Sequence, residues 1–75
     1  MKEKILNLLQ DALPEIDFTA SNKLVDEGIL DSLSVVTVIG ELSMEFDISV
    51  PYEEIMPENF NSLDAITRLV ERLKG

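Results

Sequence analysis

The chain has no cysteine, no histidine and no tryptophan among its 75 residues, and only three glycines, three prolines, one tyrosine and three phenylalanines. Without cysteine, neither disulfides nor thiolate metal sites hold the fold, which must rest on packing; the same absence fits a reducing compartment. Without histidine or cysteine the common nucleophile–base pairs are missing, and the few lysines lie far from any serine expected to be buried, so no enzyme is expected. Glycines at 28, 40 and 75 build no phosphate-cradling loop. Asp26-Glu27-Gly28 lacks the alternating ligands and closing glutamate of a calcium loop, so no metal is expected. The longest mainly apolar stretch, Leu33 to Gly40, falls far short of the roughly 20 residues a membrane span requires. Met1-Lys2-Glu3-Lys4 leads into an interrupted apolar stripe instead of the unbroken core of a signal peptide. The expectation is a soluble, cytoplasmic, monomeric chain without membrane insertion.

Basic residues are also scarce. Fifteen Asp and Glu stand against six Lys and Arg, a net charge of −9. Nucleic acid is excluded as a partner, because affinity for phosphate backbones depends on neutralising them with basic side chains. Such a field steers a small protein toward basic patches on partners; a merely solvated acidic surface accounts for the count equally well. The apolar fraction of 45% is too high for a disordered tail, and the length predicts one small domain over residues 1–75.

Ile5, Leu8, Leu9 and Ala12 recur at helical spacing and predict an amphipathic helix that ends before Pro14. From Pro14 to Leu30 turn formers alternate with single apolar residues, Ile16, Phe18, Leu24, Val25, Ile29 and Leu30, which predicts a long loop pinned to the core by plugs, with Gly28 at a backbone bend. Asp31 is a good N-cap for a second helix running to Phe46. Val35, Val38, Ile39, Leu42 and Phe46 form its core face, while Leu33, Val36, Thr37, Gly40 and Met44 form a second, outer stripe. Glu41 and Glu45 line one seam between the two, Ser32 and Ser43 the other. Pro57-Glu58-Asn59-Phe60 predicts one short turn of helix, and Asn61 or Ser62 caps a last helix with Leu63, Ile66, Leu69, Val70 and Leu73 on one face. Phe18, Phe46 and Phe60 are assigned to the core. The predicted fold is all-α: three main helices, one short helix and a long first loop.

The remaining distinctive segment is Gly28-Ile29-Leu30-Asp31-Ser32-Leu33. A serine hydroxyl at the mouth of a helix, after an acidic cap, is exposed and oriented, and the free N–H groups of the helix start favour an attached phosphate. Asp-Ser-Leu alone is more often a plain helix start. Here it follows a long loop and precedes a helix ending in Glu45-Phe46-Asp47, then Ile48-Ser49-Val50-Pro51 and Phe60-Asn61-Ser62-Leu63. Over nearly all of residues 4 to 73 this arrangement resembles the acyl carrier protein superfamily. The resemblance implies a small four-helix carrier bundle in which Ser32 bears covalent 4′-phosphopantetheine, flanked by Asp31 and Leu33, with Asp31 helping to recruit the phosphopantetheinyl transferase. It also implies an acyl or aminoacyl thioester on the arm, in fatty-acid, polyketide, peptide or related biosynthesis. The implied partners are an acyl- or aminoacyl-activating ligase and downstream transferases or synthases.

Two departures from the fatty-acid carrier pattern bear on the cargo. Two residues, Ile29 and Leu30, separate Gly28 from Asp31, and the outer face of the second helix carries Ser34, Thr37, Gly40, Ser43 and Met44 where acids are usual. The spacing looks like the D-alanyl carriers of cell-wall polymer modification and other stand-alone aminoacyl or secondary-pathway carriers. A small cargo is expected for a second reason: a core built from Val35, Val38, Ile39, Leu42 and Phe46 suggests little spare volume for a long chain. The expected partner face comprises Asp31, Leu33, Val36, Thr37, Gly40, Glu41, Met44 and Glu45. Two matters stay open on sequence alone: whether the first loop covers the outer stripe, and whether Gly40 marks a close approach or is merely tolerated. The alternative of a different class is an acidic helical interaction module without a prosthetic group.

Overall fold

The computed structural model describes all residues 1–75. Helix α1 spans Lys2–Ala12 and buries Ile5 and Leu9. It stops where Pro14 would remove the next backbone donor, with Leu13 N–H donating to the Leu9 carbonyl. Helix α2 spans Ser32–Phe46. Its first turn is closed by Asp31, whose carboxylate accepts from Ser34 N–H at 2.8 Å, and its last by Asp47 in the left-handed region at φ 53°. The β-branched run from Val35 to Ile39 stays helical because tertiary burial of Val38 and Leu42 outweighs its local preference for strand. A 3₁₀ turn at Tyr52–Glu54, which the sequence pattern did not announce, precedes the short helix α3, Pro57–Phe60, with proline in its first turn. Helix α4, Leu63–Lys74, is capped by Ser62, whose hydroxyl accepts from Ala65 N–H at 3.0 Å. Of the two cap candidates it is therefore Ser62 that caps.

Helices α1, α2 and α4 pack on one another and α3 rests on α4. The architecture is all-α, as expected. The loop contributes Ile16, Phe18, Leu24 and Leu30 to the buried core, and the three phenylalanines lie there too. Burying a side chain such as Phe18, Leu24 or Leu30 contributes on the order of 2 kcal/mol, so the loop is fastened by hydrophobic plugs along its length. Val35 and Ile39, assigned to the core face of α2, are only half-buried. No helix is long and apolar enough to cross a membrane.

A second fastening is polar. The backbone carbonyl of Asn61 accepts from Leu24 N–H at 2.7 Å, and its side-chain oxygen accepts from Val25 N–H at 2.9 Å and Asp26 N–H at 3.1 Å. Its amide nitrogen donates to the Asp26 carboxylate at 3.2 Å. Loop N–H groups that no helix or strand satisfies thus find their partners at the junction of α3 and α4. The scarce cations join other elements: Lys2 pairs with Asp64 at 2.6 Å, Lys4 with Glu45 at 3.4 Å and Arg72 with Glu54 at 2.9 Å. The Nζ atoms of Lys4 and Lys74 lie 5.4 and 5.6 Å from the centre of the Phe46 ring, within cation–π range.

Replacing Asn61 by Ala leaves the Val25 and Asp26 N–H groups without their acceptor and should cost roughly 1–3 kcal/mol in urea unfolding. Asn61→Asp keeps the acceptor but sets a second carboxylate against Asp26. Like charges raise the pKa of such a pair in the folded state, so the deficit of this variant should be greatest near neutral pH and shrink on acidification. Equal stability of Asn61→Ala and the parent would show that the plugs alone hold the loop.

Candidate functional site

Ser32 is the first residue of α2 and is exposed, directly after the Asp31 cap. The hydroxyls of Ser21 and Ser62 are engaged as acceptors for backbone N–H groups. That of Ser32 has no such partner and is exposed to solvent. The hydrogen bond from Ser34 N–H holds the Asp31 carboxyl below the ordinary aspartate range, so it stays ionised as a cap and is a weak proton acceptor. Asp17 is lowered by hydrogen bonds from Thr19, and Asp64 by Lys2. Neither lies at this site.

A largely apolar groove of about 490 Å³ opens beside Ser32. One wall is the end of the first loop, Val25, Gly28 and Leu30. Gly28 has φ +77°, which side chains other than glycine's rarely adopt, so the expected bend is present and shapes the groove. The floor is the first two turns of α2, including Val35. The opposite wall is Ile55, Met56, Pro57 and Phe60. Of the five residues assigned to the core face of α2, Val35 alone borders this groove, between the loop and the 55–60 segment; Val38, Ile39, Leu42 and Phe46 do not line it.

The outer stripe of α2 is bare. Leu33, Val36 and Met44 are 79%, 64% and 78% exposed, so neither the first loop nor α3 covers them. Thr37 is exposed, its hydroxyl donating to the Leu33 carbonyl at 3.0 Å, and a Cβ on Gly40 would meet nothing within 4 Å. The space over Gly40 is open. Glu41 is half-buried, whereas Glu45 turns to Lys4 on α1 and stands apart from the groove. Sequence reasoning missed Tyr52, Ile55 and Met56, which are 87%, 42% and 37% exposed and extend the apolar surface past the groove. It also missed a plain signal: between Lys23 and Arg68 there is no basic residue, while ten of the fifteen acids lie there. No group of three or more carboxylates gathers in a way that would hold a metal ion.

Comparison with known proteins adds three findings. The model of the family described as phosphopantetheine attachment site matches residues 3–70. The chain is 35% identical over 74 residues to aminoacyl carrier protein 1 of Bradyrhizobium diazoefficiens, covering 93% of this chain and 81% of that protein. It is 36% identical over 67 residues to the D-alanyl carrier protein of Streptococcus suis, covering 88% and 85%, and 34% identical over 76 residues to that of Lactococcus lactis, covering 99% and 96%. No solved structure matches.

The cap at Asp31 carries a pH signature. Its carboxyl titrates lower in the folded than in the unfolded chain, so its contribution is fully present above about pH 4 and is lost as pH falls through the lowered folded value. Asp31→Asn keeps an acceptor without the charge. The stability gap between parent and Asp31→Asn, read from urea midpoints, should be constant near neutrality and close below pH 4. A gap that does not change with pH would show that the charge takes no part in capping.

Proposed function

The chain belongs to the phosphopantetheine attachment site family, a carrier whose cofactor is 4′-phosphopantetheine, and from that premise we propose that Ser32 is the residue that bears it. The observation that carries this reading is the uncommitted, exposed hydroxyl of Ser32 at the first position of α2, at the mouth of an apolar groove. The residues present fit the group. The Ser34 N–H is taken by Asp31, but the start of a fifteen-residue helix would still favour a phosphodiester on Ser32, and the groove would offer apolar surface to an extended chain. When bound, the group supplies a thiol on which an acyl unit is held as a thioester.

Ser32 acts as the nucleophile toward coenzyme A. A bond forms between Oγ and phosphorus as the diphosphate bond breaks, and adenosine bisphosphate leaves. The serine proton goes to a base on the transferase, because the chain has no histidine and Asp31 is held ionised and hydrogen-bonded to Ser34. Asp31 keeps the helix start rigid and presents a negative charge to the transferase, beside Leu33 as an apolar contact. The cargo is a small acyl or aminoacyl unit, D-alanine included, loaded by an adenylating ligase and passed to a downstream transferase or synthase. Support comes from the relatives named aminoacyl and D-alanyl carrier proteins and from the two-residue spacing of Gly28 and Asp31.

Partners dock on the outer face of α2. Leu33, Val36 and Met44 supply apolar contact around Thr37 and Gly40, and Glu41 supplies an acidic margin. Glu45 serves at the edge of that face in competition with its ion pair to Lys4.

Incubation with coenzyme A and a phosphopantetheinyl transferase should add one arm per chain, seen as intact mass and as one new thiol in a protein without cysteine. Ser32→Ala should gain neither; modification that persists in it would overturn the assignment. For docking, Met44→Asp should speed dissociation from the ligase while leaving the unfolding midpoint nearly unchanged, since Met44 is 78% exposed. Glu41→Lys should mainly slow association and weaken its dependence on salt. Unaltered binding by both variants would move the docking face off α2.

A further inference from the structure

The two walls of the groove are held in different ways. The loop wall is fixed by the buried Leu24 and Leu30 and by the hydrogen bonds to Asn61. The facing wall has no such anchor along most of its length: from Pro51 to Asn59 no residue is buried. Its backbone hydrogen bonds stay within the segment, Glu54 N–H to the Pro51 carbonyl, Ile55 N–H to Tyr52 and Met56 N–H to Glu54. The side-chain bonds that fasten it converge on Glu54. Asn59 Nδ2 donates to the Glu54 backbone carbonyl at 2.7 Å and to its Oε1 at 3.1 Å. Arg72 in the last turn of α4 donates to the same Oε1 at 2.9 Å.

From this asymmetry we infer that Glu54, Asn59 and Arg72 form a latch that holds the movable wall of the groove, Ile55 and Met56, and so sets how far the groove shelters what is attached at Ser32. Glu54 and Arg72 are positioning residues: neither lines the groove with Ser32, and they act through Ile55 and Met56, the second of which is bonded by its N–H to the Glu54 carbonyl. The latch rests on the reading of Ser32 as the attachment residue only for its consequence, not for its existence. An exposed ion pair is worth little, which suits a wall that opens and closes more readily than the core. The carboxylate oxygen shared between Asn59 and Arg72 couples the 3₁₀ turn, α3 and the end of α4, so losing either the Glu54 carboxylate or Arg72 frees the wall from α4 and leaves it tied only to α3 through the bond from Asn59 to the Glu54 carbonyl.

The test is a double-mutant cycle with Glu54→Gln, Arg72→Met and the pair. Hydrogen exchange on the unmodified chain should show the Glu54, Ile55 and Met56 amides exchanging about two- to five-fold faster in each single variant and no faster still in the pair, with the Leu42 and Ile66 amides unchanged. On the modified chain, an environment-sensitive dye on the arm's thiol should emit further to the red in each single variant, again without a further shift in the pair. Unchanged exchange at residues 54–56, effects that add in the pair, acceleration shared by Leu42 and Ile66, or identical dye emission in all four proteins would each overturn the latch. Failure of the attachment reading shows separately, as a parent chain that gains no mass from the transferase; exchange on the unmodified chain still tests the latch.

Discussion

One side-chain amide joins the two halves of this molecule. The loop between α1 and α2 has no ladder of its own for the N–H groups of Leu24, Val25 and Asp26, and burying that stretch of backbone requires acceptors. Asn61, just ahead of the last helix, supplies all three from its carbonyl and side-chain oxygens. Because of that junction Leu24 and Leu30 can enter the core, Gly28 can make its bend, and α2 can begin at Ser32 against a formed wall. The groove lies between the loop so tied and the 55–60 segment, over the start of α2.

Charge is arranged around that frame. Four of the six cations, Lys2, Lys4, Arg72 and Lys74, lie on α1 or α4 and each reaches to another element, whether to Asp64, Glu45, Glu54 or the ring of Phe46. No cation lines the groove beside Ser32. A partner enzyme that brings basic side chains to this end of the molecule meets acids and apolar surface with no like charge to displace, which favours encounter more than it tightens the final complex. The bare stripe of Leu33, Val36 and Met44 is apolar surface that this chain itself leaves uncovered.

The helices were legible because their information is local. Asp31 and Ser62 cap as their types prefer, Pro14 and Pro57 fall where a missing N–H is tolerated, and the periodic apolar residues of α1 and α4 face the core. The loop plugs were legible as single apolar residues among turn formers. Long-range polar contacts were not: Asn61 reaches a backbone 36 residues away, and nothing in its neighbourhood distinguishes it from the second cap candidate it was taken for. The half-burial of Val35 escaped for the same reason, since the helical pattern places it on the inner face but only the distance between the two walls decides whether that face is covered. At the site, Ser32 stood out through its motif and family likeness. Ile55, Met56 and Glu54 carry no motif and became visible only once the chain was folded.

The most direct test follows amide and methyl chemical shifts as Ser32 is converted with coenzyme A. If the serine carries the arm and the groove receives it, intact mass rises by one arm per chain, and shifts beyond Ser32 concentrate at Val25, Gly28 and Leu30 on one wall and Ile55 and Met56 on the other. Absence of the mass change, or perturbations confined to the residues adjoining Ser32 in sequence, would contradict the link between the attachment serine and the groove.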